Sequence, residues 1–298
     1  QTSAQASALP WPPPVELSSV CRGKLNTGTQ LRLLCHAFEG RKLVDGVTMR
    51  PTLMWLRLRN TPILQQLRLE EALYRADTRS WFITNEWDQA AKAAEAIVLG
   101  ISGKVDEMVH TAEVAHAEVP VLKRFTGGGT VIVDSDTMFV SFLIGAGALP
   151  SVAPYPEPIL QWTSGIYADA LRRCGAAGFR VNANDYCLGQ LKFGGNAQAI
   201  SGQRWLHHTS LLWRFDPALM GLLQMPKRQP EYRQHRPHGE FIQGLDAAVG
   251  DRESFRAGLV AAVASVVDLQ EVPLSEAQEV LGRAHRRVTA VLNLGTTS

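Results

Sequence analysis

The stretch "KRFTGGGTVIVD", Lys123 to Asp134, joins a basic pair, three consecutive glycines and an alternating β-branched run. Three glycines in a row carry a conformational-entropy cost that ordinary packing does not return. Strand character on both sides, in "VPVLKR" (Val119 to Arg124) and "TVIVD", predicts a hairpin with Gly127, Gly128 and Gly129 at its tip. The spacing is neither G-x-x-x-x-G-K-[ST] nor G-x-G-x-x-G opening a helix, so neither a P-loop nor a dinucleotide fingerprint fits. What remains is a backbone nest whose N–H groups can take an anion or a carbonyl. Arg124 stands beside it as a bidentate fork for phosphate. A glycine-rich hairpin with no ligand is the competing reading of the triplet alone.

Outward from this point, short strands and helices continue. Thr61 reads as an N-cap with Pro62 at the first helical position. Ile63, Leu64, Leu67, Ala72, Leu73 and Ala76 then form a helical stripe, with Glu70 and Glu71 toward water. "WFIT" (Trp81 to Thr84), "AIVLGI" (Ala96 to Ile101) and "MFVSFLIG" (Met138 to Gly145) read as strands. A helix runs from about Ile159 to Cys174, with Gly175 as its C-terminal cap. "YCLGQLKFGG" and "RWLHHTSLLW" resume strand character, and "ESFRAGLVAAVASVVDL" is a helix. Ser275 with Gln278 predicts a capping box for a final helix ending near Gly295. The sum is an α+β domain: a mixed, largely antiparallel sheet with packed helices. The expected division is a tail or linker over 1–50, a catalytic domain over 51–250 and a helical C-terminal extension over 251–298.

Composition excludes several classes. Of 298 residues, 45% are hydrophobic and 19% charged, which suits a packed globular core. A net charge of +2 is too small to argue for nucleic acid or a membrane surface. No apolar run approaches the roughly 18 residues of a spanning helix. Cys21, Cys35, Cys174 and Cys187 form no C-x-x-C pair and read as reduced thiols of an intracellular compartment. "SALPWPPPVELSS" is rich in Pro, Ser and Ala with one acidic residue, and "KLNTGTQLRLLCHAFEGRK" is basic and weakly amphipathic. They read as a transit peptide or as a tail ahead of Met49. A transit role predicts a mitochondrial or plastid location; otherwise the expectation is cytoplasmic.

A second stretch, "NANDYCLGQLKFGGNAQAISGQRWLHHTSLLW", spans Asn182 to Trp213. Lys192 sits in a strand-like run, followed by Gly194, Gly195, Asn196 and Ala197. Paired glycines let a planar ligand approach the backbone. An ammonium beside them is a point charge for phosphate and carboxylate. Asn184 and Asp185 precede this lysine, and His207 and His208 follow it on a strand that sends one inward and one outward.

The two stretches together resemble the lipoate–protein ligase A family. "RFTGGGTVIVD" is similar to its R-x-[ST]-GGG-[AT]-V-x-x-D signature. "ND", then "KFGGNAQ" and "HHTSLL", resemble its second signature. The likeness runs from about Leu53 to Leu245. "PILQQLRLEEAL", "GISGK" and "MPKRQPEYRQHRPHGEFI" look most like the plant and algal branch.

The resemblance implies a biotin/lipoate ligase catalytic fold, related to class II aminoacyl-tRNA synthetases. It implies that ATP activates lipoate to lipoyl-AMP, and that the acyl group passes to a lysine of a lipoyl carrier domain. Such carriers are those of 2-oxoacid dehydrogenase complexes or the glycine-cleavage H protein. The implied catalytic residue is Lys192. The implied adenylate site is Arg124, Gly127, Gly128, Gly129, Thr130, Val131, Ile132, Asn184, Asp185, Gly195, Asn196, Ala197 and His208. Asp185 is the implied Mg²⁺ ligand, and Trp81, Phe139 or Phe142 the implied wall of an acyl tunnel.

Departures are Val133, where the family often carries His, and a C-terminal part after Gly250 shorter than the bacterial accessory domain, which a partner chain would then supply. The alternatives are an octanoyltransferase of the same superfamily acting through a Cys187 thioester, a biotin ligase, and a non-catalytic relative that only binds lipoyl domains. The basic segment Lys227 to His238 is expected to dock an acidic lipoyl domain, chiefly through Arg233 and Arg236.

Overall fold

The sheet that carries the site draws its strands from residues 52–59, 81–86, 137–144, 179–212 and 268–272, of which 137–144 is buried throughout. A computed structural model describes residues 42–44, 47–87 and 95–294. Cys21, Cys35 and most of the proposed transit segment lie outside the described residues. In chain order the strands begin with β1 (Lys42–Val44), β2 (Val47–Met49) and β3 (Thr52–Arg59). After α1 (Ile63–Ala76) come β4 (Trp81–Glu86) and β5 (Ala96–Leu99), then α2 (Val105–Met108) and α3 (Thr111–His116). β6 (Val121–Lys123), β7 (Val131–Val133) and β8 (Thr137–Ile144) lead into α4 (Pro156–Arg173). β9 (Phe179–Asn182), β10 (Asp185–Leu188), β11 (Leu191–Ser201) and β12 (Arg204–Leu212) follow as antiparallel neighbours. The rest is α5 (Pro217–Met220), α6 (His238–Phe241), α7 (Asp246–Val249), α8 (Arg252–Val266), β13 (Asp268–Val272), α9 (Leu274–Leu281) and β14 (Ala290–Leu292).

An eight-stranded sheet has the order β13-β3-β4-β8-β12-β11-β10-β9. Only the β13–β3 and β3–β4 pairings are parallel; the other five are antiparallel. One face is covered by α4 and α8, where Phe82, Phe142, Tyr167, Trp205, Phe255 and Leu259 pack in one cluster. The other is covered by α1 and α9, through Leu69, Leu73, Trp81, Leu143, Leu206 and Val280. Every residue of β8 is therefore buried, as expected for a strand with both faces covered.

The second sheet has the order β14-β6-β5-β7. β5 lies between β6 and β7, parallel to the first and antiparallel to the second. The glycine loop is therefore not a hairpin tip. It carries the chain from β6 over the end of β5 to β7, a non-local pairing that strand character alone does not reveal. Ile63 and Leu67 of α1 pack on Val98, Leu122, Val133 and Phe139, so α1 separates the two sheets.

Other sequence expectations are corrected here. Glu70 and Glu71 are buried, not solvated, because α1 is covered on two sides. Glu71 accepts from the backbone N–H of Val288 at 3.0 Å and of Thr289 at 2.8 Å. Thr61 does not cap α1; its hydroxyl donates to the Arg59 carbonyl, while the Asn85 side chain brackets its backbone. The segment after Gly250 is not helical throughout. α8, capped by Asp251, leads into β13, which extends the large sheet beside β3. Ser275 lies inside α9, which starts after Pro273 without a side-chain cap and ends at Leu281.

Candidate active site

A cavity of about 640 Å³ opens where the second sheet, the β10–β11 hairpin and the segment after β12 meet. One wall is apolar, formed by Met108, Val131, Ile132, Leu212, Met220, Leu223, Phe241 and Ile242. Polar groups facing the same space include Gly129, Thr130, Asp185, Lys192, Gly195, Ser210, Arg233 and His238, with Glu107, Gln224, Lys227 and Arg228 also lining it. A large apolar pocket with a few converging polar groups is the form of a small-molecule site.

The glycine loop is shaped by what lies beneath it. Gly100 follows β5, and a Cβ there would sit 2.2 Å from the Gly128 carbonyl oxygen. Only a glycine lets the loop cross at this height. Gly128 has φ +95, a conformation L side chains rarely adopt. A Cβ on Gly127 or Gly129 would meet nothing within 4 Å; the Gly127 N–H donates to the Gln198 carbonyl at 3.4 Å, and Gly129 faces the cavity.

Arg124 is 3% exposed and uses its guanidinium inward. Nη2 donates to the Gly127 and Gly129 carbonyls, both at 2.8 Å. Nη1 donates to the Val98 carbonyl at 3.1 Å and Nε to Thr126 Oγ1 at 2.8 Å. Burial pulls its pKa down to about 10, still cationic at neutral pH. The expected phosphate fork is corrected: Arg124 holds the loop from behind. The chain of contacts continues from Thr126 Oγ1 to His208 Nε2 at 3.2 Å, and from His208 Nδ1 to Glu70 Oε2 at 2.9 Å. Ser141 and Gln66 donate to the other oxygen of Glu70. A buried cation and a buried anion thus terminate one hydrogen-bonded chain, and burial lowers the His208 pKa against the opposing pull of Glu70.

Lys192 is set by the β10–β11 hairpin. A bulge between Tyr186 and Cys187 shifts the register, pairing Tyr186 with Gly194 and Cys187 with Lys192. Asp185 thereby comes diagonally across from the lysine, with Nζ 2.7 Å from Oδ1. Tyr232, from the segment after β12, donates its hydroxyl to the other Asp185 oxygen at 2.7 Å. A Cβ on Gly195 would lie 3.4 Å from both Cε and Nζ of Lys192, so the glycine leaves room for the ammonium. Gly194 has a packing role instead, against Leu211 and Tyr186.

The remaining expectations divide. Thr130, Val131, Ile132, Asp185, Gly129, Gly195 and Lys192 come together at the cavity. Ala197 lies under the glycine loop, 3.2 Å from where a Gly128 Cβ would stand. Asn184 does not face the cavity. Ala183 (φ 46) and Asn184 (φ 75) form the two-residue turn between β9 and β10. Its carbonyl accepts from the Asn196 side chain, so both asparagines shape the turn. His208 lies behind the loop, and His207 is buried on the other face of β12 against Tyr186, Gln198 and Thr209. Neither histidine points outward, because the sheet is covered on both faces.

Trp81, Phe139 and Phe142 are core residues away from the cavity, whose apolar wall comes from other elements. Arg233 is buried; its Nε donates to the Arg236 carbonyl and it lies 4.6 Å over the Phe241 ring. Arg236 donates to the Arg233, Tyr232 and Gln190 carbonyls. These two arginines fold their own segment and do not form an outward docking patch. Lys227 and Arg228 are exposed at the cavity mouth, with Lys227 3.3 Å from Glu107.

Cys187 is fully buried, and burial raises its pKa. Its thiol meets the Tyr232 hydroxyl at 3.5 Å rather than the cavity. Both oxygens of Asp185 are taken by Lys192 and Tyr232. Among the described residues no group of three or more His, Cys, Asp or Glu could hold a metal. The residues present do not fit a protein-held Mg²⁺. Sequence reasoning passed over Gly100, Thr126, Ser210, Tyr232 and His238. A glycine closing the strand "AIVLGI" was the one available sign.

Comparison with known proteins gives a consistent result. The family model of the lipoyl protein ligase A/B catalytic domain matches residues 62–257. A Plasmodium falciparum protein, inactive lipoate–protein ligase 2, is 26% identical over 238 residues, 63% of this chain and 62% of that one. The chain thus spans about three-fifths of that relative's length. A lipoate-protein ligase A solved with ATP bound superposes with a TM-score of 0.63 at 17% identity, over 78% of this chain and 92% of that one. The bipartite lipoate protein ligase of Thermoplasma acidophilum, solved in a study that includes its E2 lipoyl domain, gives 0.63 at 20% identity, over 78% and 90%.

Proposed function

The chain belongs to the lipoyl protein ligase A/B catalytic domain family, and from that premise we propose that it activates lipoate with ATP and passes the lipoyl group to a carrier lysine. The observation that carries this reading is the Lys192 ammonium on the floor of a cavity with one apolar wall and one open glycine backbone. The apolar wall suits the acyl chain. The open backbone at Gly129 suits the nucleotide phosphates. A lipoate carboxylate oxygen attacks the α-phosphorus, the bond to the bridging oxygen breaks, and pyrophosphate leaves. The carrier amine then attacks the carbonyl, and AMP leaves with the bonding pair. Lys192 is the positive charge that both steps need near the α-phosphate, a preorganised electrostatic contribution. Arg124, Asn184 and Asn196 act by fixing backbone. No step is routed through Mg²⁺.

The proposed partners are lipoyl carrier domains. A neighbour studied with its E2 lipoyl domain supports that class. A non-catalytic reading is kept in view by the relative whose name calls it inactive. A Cys187 thioester is disfavoured by burial of the thiol.

Lipoate-dependent exchange of pyrophosphate into ATP tests the reading. Wild type is expected to exchange, and Lys192→Ala to lose roughly 10²–10³-fold. Lys192→Arg is not expected to rescue, since a planar fork crowds the space beside Gly195. A wild-type protein that binds lipoyl domains but never exchanges would establish the non-catalytic reading instead.

A further inference from the structure

Among the described residues the Lys192 ammonium has one short polar contact, to Asp185, and that carboxylate is held from its other side by a residue of a different segment. We propose that Tyr232 is the positioning residue for Lys192: its hydroxyl holds the Asp185 carboxylate in the orientation that presents the ammonium to the cavity. This inference rests on the ligase reading.

Three observations support it. The Asp185 oxygens each have one donor at 2.7 Å, Lys192 on Oδ1 and Tyr232 on Oδ2, so rotation of the carboxylate breaks one of two charge-assisted bonds. Tyr232 is itself fixed. Its ring lies 5.2 Å from that of Phe241, which is 3% exposed and carries Arg233 and Arg236 over its ring at 4.6 and 5.4 Å. The hydroxyl also remains a donor, because burial raises its pKa well above the usual phenol value.

The lysine end is clamped as well. The Gln243 backbone N–H donates to the Lys192 carbonyl at 2.9 Å, and its side chain donates to Leu188 at 3.0 Å. With backbone and carboxylate both fixed, the position of Nζ depends on the Tyr232 hydroxyl. Cys187 gains a role by the same geometry: its thiol donates to that hydroxyl at 3.5 Å and fills the space behind it.

The test is a double-mutant cycle with a second readout that needs no turnover. Tyr232→Phe keeps the ring on Phe241 and deletes one hydrogen bond to a charged group. Adenylate formation is expected to slow about tenfold in kcat, with KM for lipoate and ATP within about twofold. In an Asp185→Ala background the same change is expected to have no further effect, because Tyr232 acts through that carboxylate. Competitive acylation of the Lys192 amine in the free protein, read by mass spectrometry, is expected to change at least about threefold in Tyr232→Phe.

Equal effects in both backgrounds overturn the proposal, and so does an unchanged acylation rate. A fall in melting temperature that accounts for the lost activity overturns it too. A wild type without exchange activity, but with the acylation shift intact, would sink the ligase reading alone and leave the positioning role standing.

Discussion

Arg124→Met separates the two roles open to this arginine. The side chain makes four internal hydrogen bonds, to Thr126 Oγ1 and to the carbonyls of Val98, Gly127 and Gly129. It also balances Glu70 at the far end of the Thr126–His208 chain. Methionine fills similar space and satisfies none of these acceptors. Removing one partner of a buried charged arrangement costs about 3–5 kcal/mol. The desolvation of Arg124 itself, visible in its lowered pKa, is relieved by the substitution. A net loss of about 3 kcal/mol is therefore expected. At roughly 2–4 °C per kcal/mol for a domain of 150–250 residues, the melting temperature should fall about 6–12 °C. Thermal unfolding, with ATP titrated calorimetrically well below the transition, measures both terms. A melting temperature within about 2 °C of wild type, together with a tenfold or greater loss of ATP affinity, would refute the internal role and restore the phosphate fork.

Other substitutions test neighbouring claims. Gly100→Ala places a Cβ 2.2 Å from the Gly128 carbonyl and should displace the loop and abolish lipoate binding, whereas Gly127→Ala, with open space, should fold normally; circular dichroism and calorimetric titration distinguish them. Cys187→Ser should retain most exchange activity, and the wild-type thiol should react slowly with iodoacetamide, because it is buried and its pKa is raised; abolished activity would favour the thioester route. Stability should fall as pH drops from about 6.5 toward 3. The folded pKa of His207 is pushed down to about 3 by burial, while the unfolded chain takes up its proton near 6.5. The slope is up to about 1.4 kcal/mol per pH unit, read from denaturant midpoints, and an unchanged slope in His207→Gln would remove this assignment.

Local signals were legible in the sequence, and non-local pairings were not. β8 shows as a mostly apolar run because both faces are buried, which alternation alone would not have suggested, whereas the largely buried β12 carries His207, His208, Thr209 and Ser210. Lys192 was legible because a lysine beside two glycines in a strand has no packing reason to be there. The glycine loop was placed on the wrong topology, since nothing in "KRFTGGGTVIVD" says that β5 lies between its flanking strands. Glu70 looked solvated because burial of a carboxylate depends on donors far away in sequence: Ser141 is 71 residues on and His208 is 138. Tyr232 was read only as part of a basic segment, and its partner Asp185 is 47 residues away.

The cations of this site divide by chemistry. Arg124 and Arg236 point their forks at backbone carbonyls around the loops they stand in, whereas Arg233 donates one bond to the Arg236 carbonyl and also faces the cavity. A planar guanidinium with five fixed donors suits that work, because one side chain can tie several carbonyls of an irregular loop together. The same saturation leaves Arg124 and Arg236 little to offer a ligand. Lys192 differs on both counts. Its ammonium has three donors and, among the described residues, one short partner, Asp185, and it faces the cavity next to a glycine that leaves it space. A compact charge with unsatisfied donors can follow a phosphate from ground state to transition state, whereas a locked fork cannot. The glycine loop completes the division: its carbonyls are held from behind by Arg124, and its open face at Gly129 is left for whatever approaches. That is why three glycines occur together here, and why only the middle one is required by its backbone angle.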